Sequence, residues 1–574
     1  MPPVGLALRN YLLVALTEDF GEYRRSSVHR DTENGVMGIA PQGTHMKIVV
    51  AEKVASSALA VFKEQSDWTV ATPEKDALAG ELADADALLV RSAVFVDAAM
   101  MDKAPKLRVI GRAGVGVDNI DLEAATKRGI AVMNTPGGNA IAVAEHTLAL
   151  MLALARHVSK ADASTHAGKW EKKSLQGTEL KGKTLGIVGL GKIGVEVAKR
   201  AVAFGMKIVA HDPYVAFSFA QQLQITLLPL DELFATSDYI TLHVGLTPQT
   251  QGIINAANLA KMKKGVRLVN CARGELLDDA AVVAALQSGQ LGGAALDVFR
   301  EEPLKDSAFQ GAPNIILTPH IAGSTNEAQD AVGVQIAMQV REYLLKGVIQ
   351  NAVNVPSVTF EEYEEMLPYI GLAERLGAFL AQSGEHNVEE IGIGYSGDIC
   401  DWKTDLIRNS AVSGVLNQMA HEKANLVNAA SIAEERGIRV SERKKSRTSG
   451  GAAANVLTVT LNTSKHERTV AGTVLHGTSP RLLRIDEIDV EAPLQGNIIY
   501  LRNRDVPGVI GRVGTVLGQH KVNIANFSLG RSEQAQEPRE AVAVVQVDSE
   551  VSETVLQDLR KIEAVEVAKA IRFS

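Results

Sequence analysis

Three polar side chains follow apolar runs in the middle of the sequence: Arg273 after LVNCA, Glu302 after AALDVFRE and His320 after ILTP. Together they suit oxidation of a secondary alcohol that carries a neighbouring carboxylate. A histidine is a base of the right strength near neutrality to take the hydroxyl proton while hydride leaves the carbon. A carboxylate beside it orients the imidazole and stabilises its protonated form. An arginine grips the substrate carboxylate through two hydrogen bonds and polarises the adjacent oxygen. Taken singly, each has a plainer reading. Arg273 suits a surface ion pair, and Glu301 and Glu302 suit a solvated acidic turn before Pro303. A histidine at a strand end is often structural, as His211 and His243 can be.

Hydride chemistry needs an acceptor, and one stretch is built to hold it. Residues 185–212 read LGIVGLGKIGVEVAKRAVAFGMKIVAHD. The spacing predicts a buried strand, a G-x-G-x-x-G turn at Gly189, Gly191 and Gly194, an amphipathic helix, a second strand and then Asp212. The first glycine permits the tight turn. The second lets backbone approach a pyrophosphate, and the third lets helix pack on strand. The pyrophosphate sits on free N–H groups at the positive end of the helix dipole. An acid at the second strand tip accepts hydrogen bonds from ribose hydroxyls and repels a 2′-phosphate, which selects NAD over NADP.

These side chains must be positioned by strand ends. Short apolar runs alternate with helical segments from Met46 onward, which implies parallel sheets. Strands are expected at 47–51, 87–90, 108–111 and 131–133, then at 239–243, 267–270, 293–297 and 315–319. A long alanine-rich helix covers 140–156, with 161–171 extending beyond it. A helix at 326–346 returns to the first domain, so the cofactor domain is inserted in that domain. The boundaries expected are 46–145 with 330–355 for the first domain and 146–329 for the inserted one. An α+β unit follows at 357–490, with helices at 367–382 and 402–433. The last unit, 496–574, reads βαββαβ. Residues 1–45 read as an extension outside the folded core.

Composition narrows the classes. The chain has 574 residues, 46% of them hydrophobic, and a net charge of −8. The one basic cluster, Arg443 to Arg447, interrupts a polar stretch and reads as a loop. No nucleic-acid or membrane partner is expected. The two cysteines, Cys271 and Cys400, fit a reducing cytoplasm, and no spacing suggests a metal site.

The motifs NTPGGNAIAVAEHTLAL, VGLGKIG, VNCARGELLDDAAVVAALQSGQLGGAALDVFREEP and TPHIAGSTNEAQ resemble those of the D-isomer-specific 2-hydroxyacid dehydrogenases. GRAGVGVDNIDLEAAT, with Arg91 in VRSA, is similar to the branch acting on 3-phospho-D-glycerate. The resemblance covers residues 46 to about 355, and the tail resembles the long form of that branch. It implies two doubly wound parallel-sheet domains, a flavodoxin-like substrate domain and a Rossmann NAD domain. It further implies an intervening α+β domain and a ferredoxin-like ACT domain.

The implied catalytic set is Arg273, Glu302 and His320. The implied NAD contacts are Val115, Gly189, Gly191, Lys192, Ile193, Gly194, Asp212, Val244, Cys271, Ala272, Arg273, Asp297, His320, Ile321, Ala322 and Gly323, several through backbone. Arg91, Arg112, Gly114 and Asn139 would hold the phosphorylated substrate. A second basic residue found in some members two positions after Arg91 is Ala93 here.

The stretch NRDVPGVIGRVGTVLGQHKVNIANFSLGR resembles an ACT domain, which implies an L-serine effector near Asp505 and Asn523 at a subunit interface. Lys465, His476, Arg481 and Arg484 are candidates for a second anion site. A homodimer or homotetramer is implied. Two other functions stay open: reduction of glyoxylate, hydroxypyruvate or 2-oxoglutarate by a related dehydrogenase, and NAD(H) sensing without turnover.

Overall fold

The computed structural model describes residues 45–573, apart from 357, 385–387, 420–423, 446–454, 464–465 and 534–538. The expected extension at 1–45 lies outside this range, except for His45, and so does Lys465.

The first sheet contains β1 (Lys47–Val50), β2 (Thr69–Ala71), β3 (Ala87–Val90), β4 (Val109–Arg112) and β5 (Ala131–Met133). Its order is β2-β1-β3-β4-β5, all parallel, the flavodoxin-like arrangement. β3 reads ALLV and is buried at every position, as expected of a strand covered on both faces. β2 was not expected: it is a three-residue edge strand without a fully buried side chain, so it carries no apolar period. The Asn326–Lys346 helix does return to this sheet. A Cβ on Gly111 in β4 would stand 2.9 Å from both Ile336 and Val340 of that helix.

The second sheet contains β6 (Thr184–Val188), β7 (Lys207–His211), β8 (Thr226–Leu227), β9 (Tyr239–Leu242), β10 (Val266–Asn270), β11 (Leu291–Leu296) and β12 (Ile315–Leu317). The order β12-β11-β10-β9-β6-β7-β8 is parallel throughout. Successive strands are added on one side of β6 as far as β8 and on its other side from β9 onward, and at such a switch point a crevice opens outside the carboxyl ends. Asp297 and His320 lie just past β11 and β12, because each strand ends before the polar residue that was expected within or beside it.

The Ala140–Arg156 helix buries an alanine and leucine stripe against this second sheet. It does not continue straight. His157 adopts left-handed backbone at φ 52°, and the Val158–His166 helix leaves at a 64° bend. Among the described residues no single helix is long and apolar enough to cross a membrane.

The third unit packs two helices, Phe360–Ser383 and Asp405–Met419, on a sheet of β13 (Val388–Ser396), β14 (Arg439–Lys445), β15 (Val456–Thr463), β16 (Glu467–Leu475), β17 (Ser479–Ile485) and β18 (Ile488–Pro493). The order is β14-β13-β15-β16-β17-β18. The stretch 402–433 is two helices, Asp405–Met419 and Ala429–Glu435, rather than one. The basic run starting at Arg443 is not all loop: Arg443, Lys444 and Lys445 end edge strand β14 with their side chains exposed. Charges there discourage pairing with another chain.

The last unit has β19 (Asn497–Arg504), β20 (Ile524–Arg531), β21 (Glu540–Val547) and β22 (Val565–Arg572) in the antiparallel order β20-β21-β19-β22. With helices Val509–Gln519 and Glu553–Arg560 this is βαββαβ. Both faces of the sheet are covered. Ile499, Leu501 and Val545 meet its own helices. The alternate residues Ile498, Tyr500 and Val544 join the core of the third unit, where Tyr500 meets Phe379 edge-on at 5.7 Å.

Candidate active site

The crevice at the carboxyl ends of the second sheet brings two of the three proposed catalytic side chains into contact. His320 Nδ1 lies 2.7 Å from Glu302 Oε2. Glu302 Oε1 accepts a hydrogen bond from the Phe299 amide at 3.0 Å, which fixes the carboxylate behind the ring. The other ring nitrogen, Nε2, is left for a ligand. The side chains are half exposed, at 50% for His320 and 36% for Glu302, so a substrate can reach them.

Asp297 sets the backbone that carries His320. The residue is fully buried. Its Oδ1 accepts from the Thr318 hydroxyl at 2.6 Å and the Ile321 amide at 2.9 Å, and its Oδ2 accepts from the Ala322 amide at 2.9 Å. His146 approaches Oδ1 at 3.5 Å. Burial raises the carboxyl pKa, but these donors outweigh it and hold the group below the ordinary range. The ionised carboxylate thus clamps a sharp turn, in which His320 takes left-handed backbone at φ 53°. Such a conformation is uncommon outside glycine and persists where surroundings over-determine it.

Arg273 stands on the neighbouring loop. Gly274 packs that loop against the Phe299–Arg300 backbone, since a Cβ there would lie 2.0 Å from the Phe299 carbonyl carbon. Arg273 Nε donates to Asp118 Oδ2 of the first unit at 3.1 Å, and its NH1 donates to the Ala272 carbonyl at 2.6 Å. It therefore does form an ion pair, one that spans the cleft between the two parallel-sheet units.

Arg112 ends β4 on the opposite side of the cleft. Its buried Nε has no hydrogen-bond partner. Burial, and after it the charge of Arg273, pushes its pKa below the ordinary guanidinium value, with Asp118 and Glu52 opposing and Arg91 adding to the fall. A half-buried cation among like charges, with a donor unspent, favours an arriving anion. Two glycines make room. A Cβ on Gly114, at φ 149°, would overlap the Arg112 guanidinium, and one on Gly116 would overlap that of Arg273.

Arg91 begins a loop whose amides converge on Glu52. The carboxylate accepts from the backbone of Arg91 at 2.9 Å, Ala93 at 3.1 Å and Val94 at 3.1 Å. Asn139 Oδ1 is buried without a partner.

The dinucleotide elements have the local geometry that the glycine spacing predicts. Gly189 has φ 94°, and a Cβ on Gly194 would stand 2.2 Å from the Gly189 carbonyl oxygen. A Cβ on Gly191 would meet open space. The Lys192–Ala203 helix begins there without a side-chain cap, so its first N–H groups are free for a pyrophosphate. Asp212 caps β7 and holds the glycine turn, its Oδ2 accepting from the Leu190 amide at 2.8 Å. Lys192 reaches across the cleft to the Pro136 carbonyl at 2.8 Å. The Val115 carbonyl accepts from Asn134 at 2.6 Å, while Val244 packs beside Gly189. Ile321 is exposed and Ala322 buried. Burial pushes the Cys271 thiol up to about 12, which leaves it inert. His243 bonds Thr241 and belongs to the wall.

In the last unit, a cavity of about 280 Å³ is lined by Asn503, Asp505, Pro507, Gly508, Phe527 and Arg531, among others. Asp505 pairs with Arg531 at 3.1 Å. Asn523 does not line this cavity; its amide donates to Asp548 at 2.6 Å. Of the further anion candidates, Arg484 is paired with Asp489, whereas Arg481 Nε is buried without a partner.

Sequence reasoning missed Glu52, Gly116, Asp118 and His146. Glu52 stands just past the end of β1, a position of the same kind that drew attention to Arg273 and His320. Gly116 and Asp118 lie within the motif that holds Arg112.

Family models match three stretches of the chain. Residues 148–322 match the family model for the D-isomer specific 2-hydroxyacid dehydrogenase NAD binding domain. Residues 365–486 match the D-3-phosphoglycerate dehydrogenase intervening domain, and 497–564 match the ACT domain. A D-3-phosphoglycerate dehydrogenase of Synechocystis sp. is 39% identical over 532 residues, covering 92% of this chain and 95% of that one. One from Methanocaldococcus jannaschii is 41% identical over 519 residues, covering 90% and 98%. One from Bacillus subtilis is 37% identical over 525 residues, covering 92% and 99%.

Proposed function

The chain belongs to the D-3-phosphoglycerate dehydrogenase family and is an NAD-dependent oxidoreductase, and we propose that it oxidises 3-phospho-D-glycerate at the 2-hydroxyl to 3-phosphonooxypyruvate in the first step of L-serine biosynthesis. The observation that carries this reading is the His320–Glu302 pair, facing a cleft whose other wall holds Arg112 with an unspent donor.

In this reading His320 takes the hydroxyl proton at Nε2. Glu302, held by the Phe299 amide, keeps the ring oriented through Nδ1 and balances the imidazolium charge. Arg273 binds the substrate carboxylate and draws electron density from the 2-oxygen. Arg91 and Arg112 receive the phosphate, with Asn139 beside them. NAD, when bound along the Gly189–Gly194 turn and Asp212, supplies the hydride acceptor. Asp297 keeps the His320 turn closed, and Lys192 ties the two walls of the cleft together.

The ACT unit brings ligand regulation. L-Serine at the Asp505 cavity is the proposed effector, and a homodimer or homotetramer, with ACT units paired, is the proposed assembly. The absence of a strong basic residue at Ala93 leaves the phosphate to Arg91 and Arg112.

A steady-state assay tests the whole reading. Turnover is expected with 3-phosphoglycerate and NAD, little with glycerate, lactate or 2-hydroxyglutarate, and a fall on adding serine. Equal or better use of an unphosphorylated acid overturns the substrate. Silence with every hydroxy acid, despite NADH binding, overturns the enzyme reading in favour of NAD(H) sensing. Serine-insensitive turnover removes the effector alone.

A further inference from the structure

Arg273 is held by two acceptors, and one of them belongs to the opposite wall of the cleft. Its Nε is taken by Asp118 Oδ2 at 3.1 Å and one proton of NH1 by the Ala272 carbonyl at 2.6 Å. The N–H groups left over are one on NH1 and two on NH2, which can offer a carboxylate two hydrogen bonds. The plane of the group is therefore set before substrate arrives, and 155 residues separate the partners that set it.

The room for this pair is specific. A Cβ on Gly116 would lie 2.0 Å from Arg273 NH2 and 2.7 Å from Asp118 Oδ2. Asp118 is itself 66% exposed, so no packing need fixes it there. Its charge also acts on Arg112, which feels Arg273 as a repelling neighbour and Asp118 as an attracting one. One exposed carboxylate thus pairs with Arg273 and also attracts the charge of Arg112.

We propose that Asp118 is a positioning residue for Arg273: from the far wall of the cleft it pins Nε, leaving the remaining NH1 and NH2 protons to the substrate carboxylate. The proposal rests on the functional reading given above. Because the two partners sit on different lobes, the pinned orientation exists only while the lobes stand close. Carboxylate recognition is thereby coupled to the closeness of the cleft walls.

The test compares Asp118→Asn and Asp118→Glu with the wild-type full chain. Wild-type turnover of 3-phosphoglycerate is measured first, and a silent wild type overturns the functional reading itself. With a working wild type, Asp118→Asn is expected to raise KM for 3-phosphoglycerate roughly three- to tenfold, between the effect of an exposed ion pair and that of a misplaced binding group. The inhibition constant of oxalate, a carboxylate probe without phosphate, is expected to rise with it. NADH affinity, read by fluorescence titration, stays at the wild-type value, and Asp118→Glu recovers part of the loss. Unchanged KM and oxalate inhibition in Asp118→Asn overturn the proposal. So does a loss that appears equally in NADH binding, because that marks general damage to the cleft.

Discussion

His320 Nδ1 and Glu302 Oε2 meet at 2.7 Å across 18 residues of chain, and the ring presents its other nitrogen to the cleft. The pair is built from two loops at adjacent strand ends, with Asp297 fixing one loop and the Phe299 amide fixing the carboxylate on the other. The imidazole is thus oriented by backbone as well as by its acidic partner.

Removing the ring should separate chemistry from binding. His320→Ala is expected to lower turnover by about 10²–10⁴-fold, the contribution of a positioned proton acceptor. NADH affinity, measured by fluorescence titration, should hold. Glu302→Gln keeps the shape and loses only the charge, so its loss should be the smaller of the two. Near-normal turnover in His320→Ala would show that the proton goes elsewhere.

Gly116 should be intolerant for a local reason. Its missing Cβ is the space that Arg273 NH2 occupies. Gly116→Ala pushes on the far end of a flexible side chain rather than on backbone, so the fold is expected to survive. A displaced Arg273 should cost up to about 10²-fold in kcat/KM. Circular dichroism and a kinetic assay on one preparation decide it. A variant with normal kinetics would mean that Arg273 finds an equivalent pose.

Asp212 should govern cofactor choice and also the glycine turn. Asp212→Gly removes the charge that repels a 2′-phosphate and frees the Leu190 amide. The ratio of kcat/KM for NAD over NADP is expected to fall, with affinity for NAD itself reduced. Asp212→Asn keeps an acceptor for Leu190 and should lose selectivity with less loss of NAD binding. An unchanged ratio in both variants would remove Asp212 from cofactor selection.

His243 should make stability depend on acid. Burial holds its pKa down to about 3, from an ordinary value of 6.5. Between those values the unfolded chain binds a proton that the folded protein refuses, so stability is lost as pH falls through this window. The slope is at most about 1.4 kcal/mol per pH unit for one proton. Urea melts at pH 7 and pH 5 should show a smaller difference for His243→Gln than for wild type. Parallel pH dependence in the two proteins would assign the effect to other groups.

Much of this was legible in the order of residues. The Asn326–Lys346 helix, strand β22 at Val565–Arg572 and the Ala140–Arg156 helix declare themselves because burial on one face, or on both, imposes a period that local pattern records. The glycine turn at Gly189 and Gly194 is equally local, since a positive φ and a close helix–strand approach each demand the absence of a side chain. Strands β2 and β14 were not legible, because neither has a fully buried side chain and so neither has an apolar period to show.

The alignment of Arg273 was of another kind. Residue type and strand-end position nominated it, as they nominated Glu302 and His320. Only the folded cleft decided that Asp118 would hold its Nε and that Arg112 would stand near enough to repel it. Local pattern reports which face of an element is buried. Electrostatic contact between far parts of the chain depends on how whole sheets are set against each other, and no periodicity within either sheet encodes that.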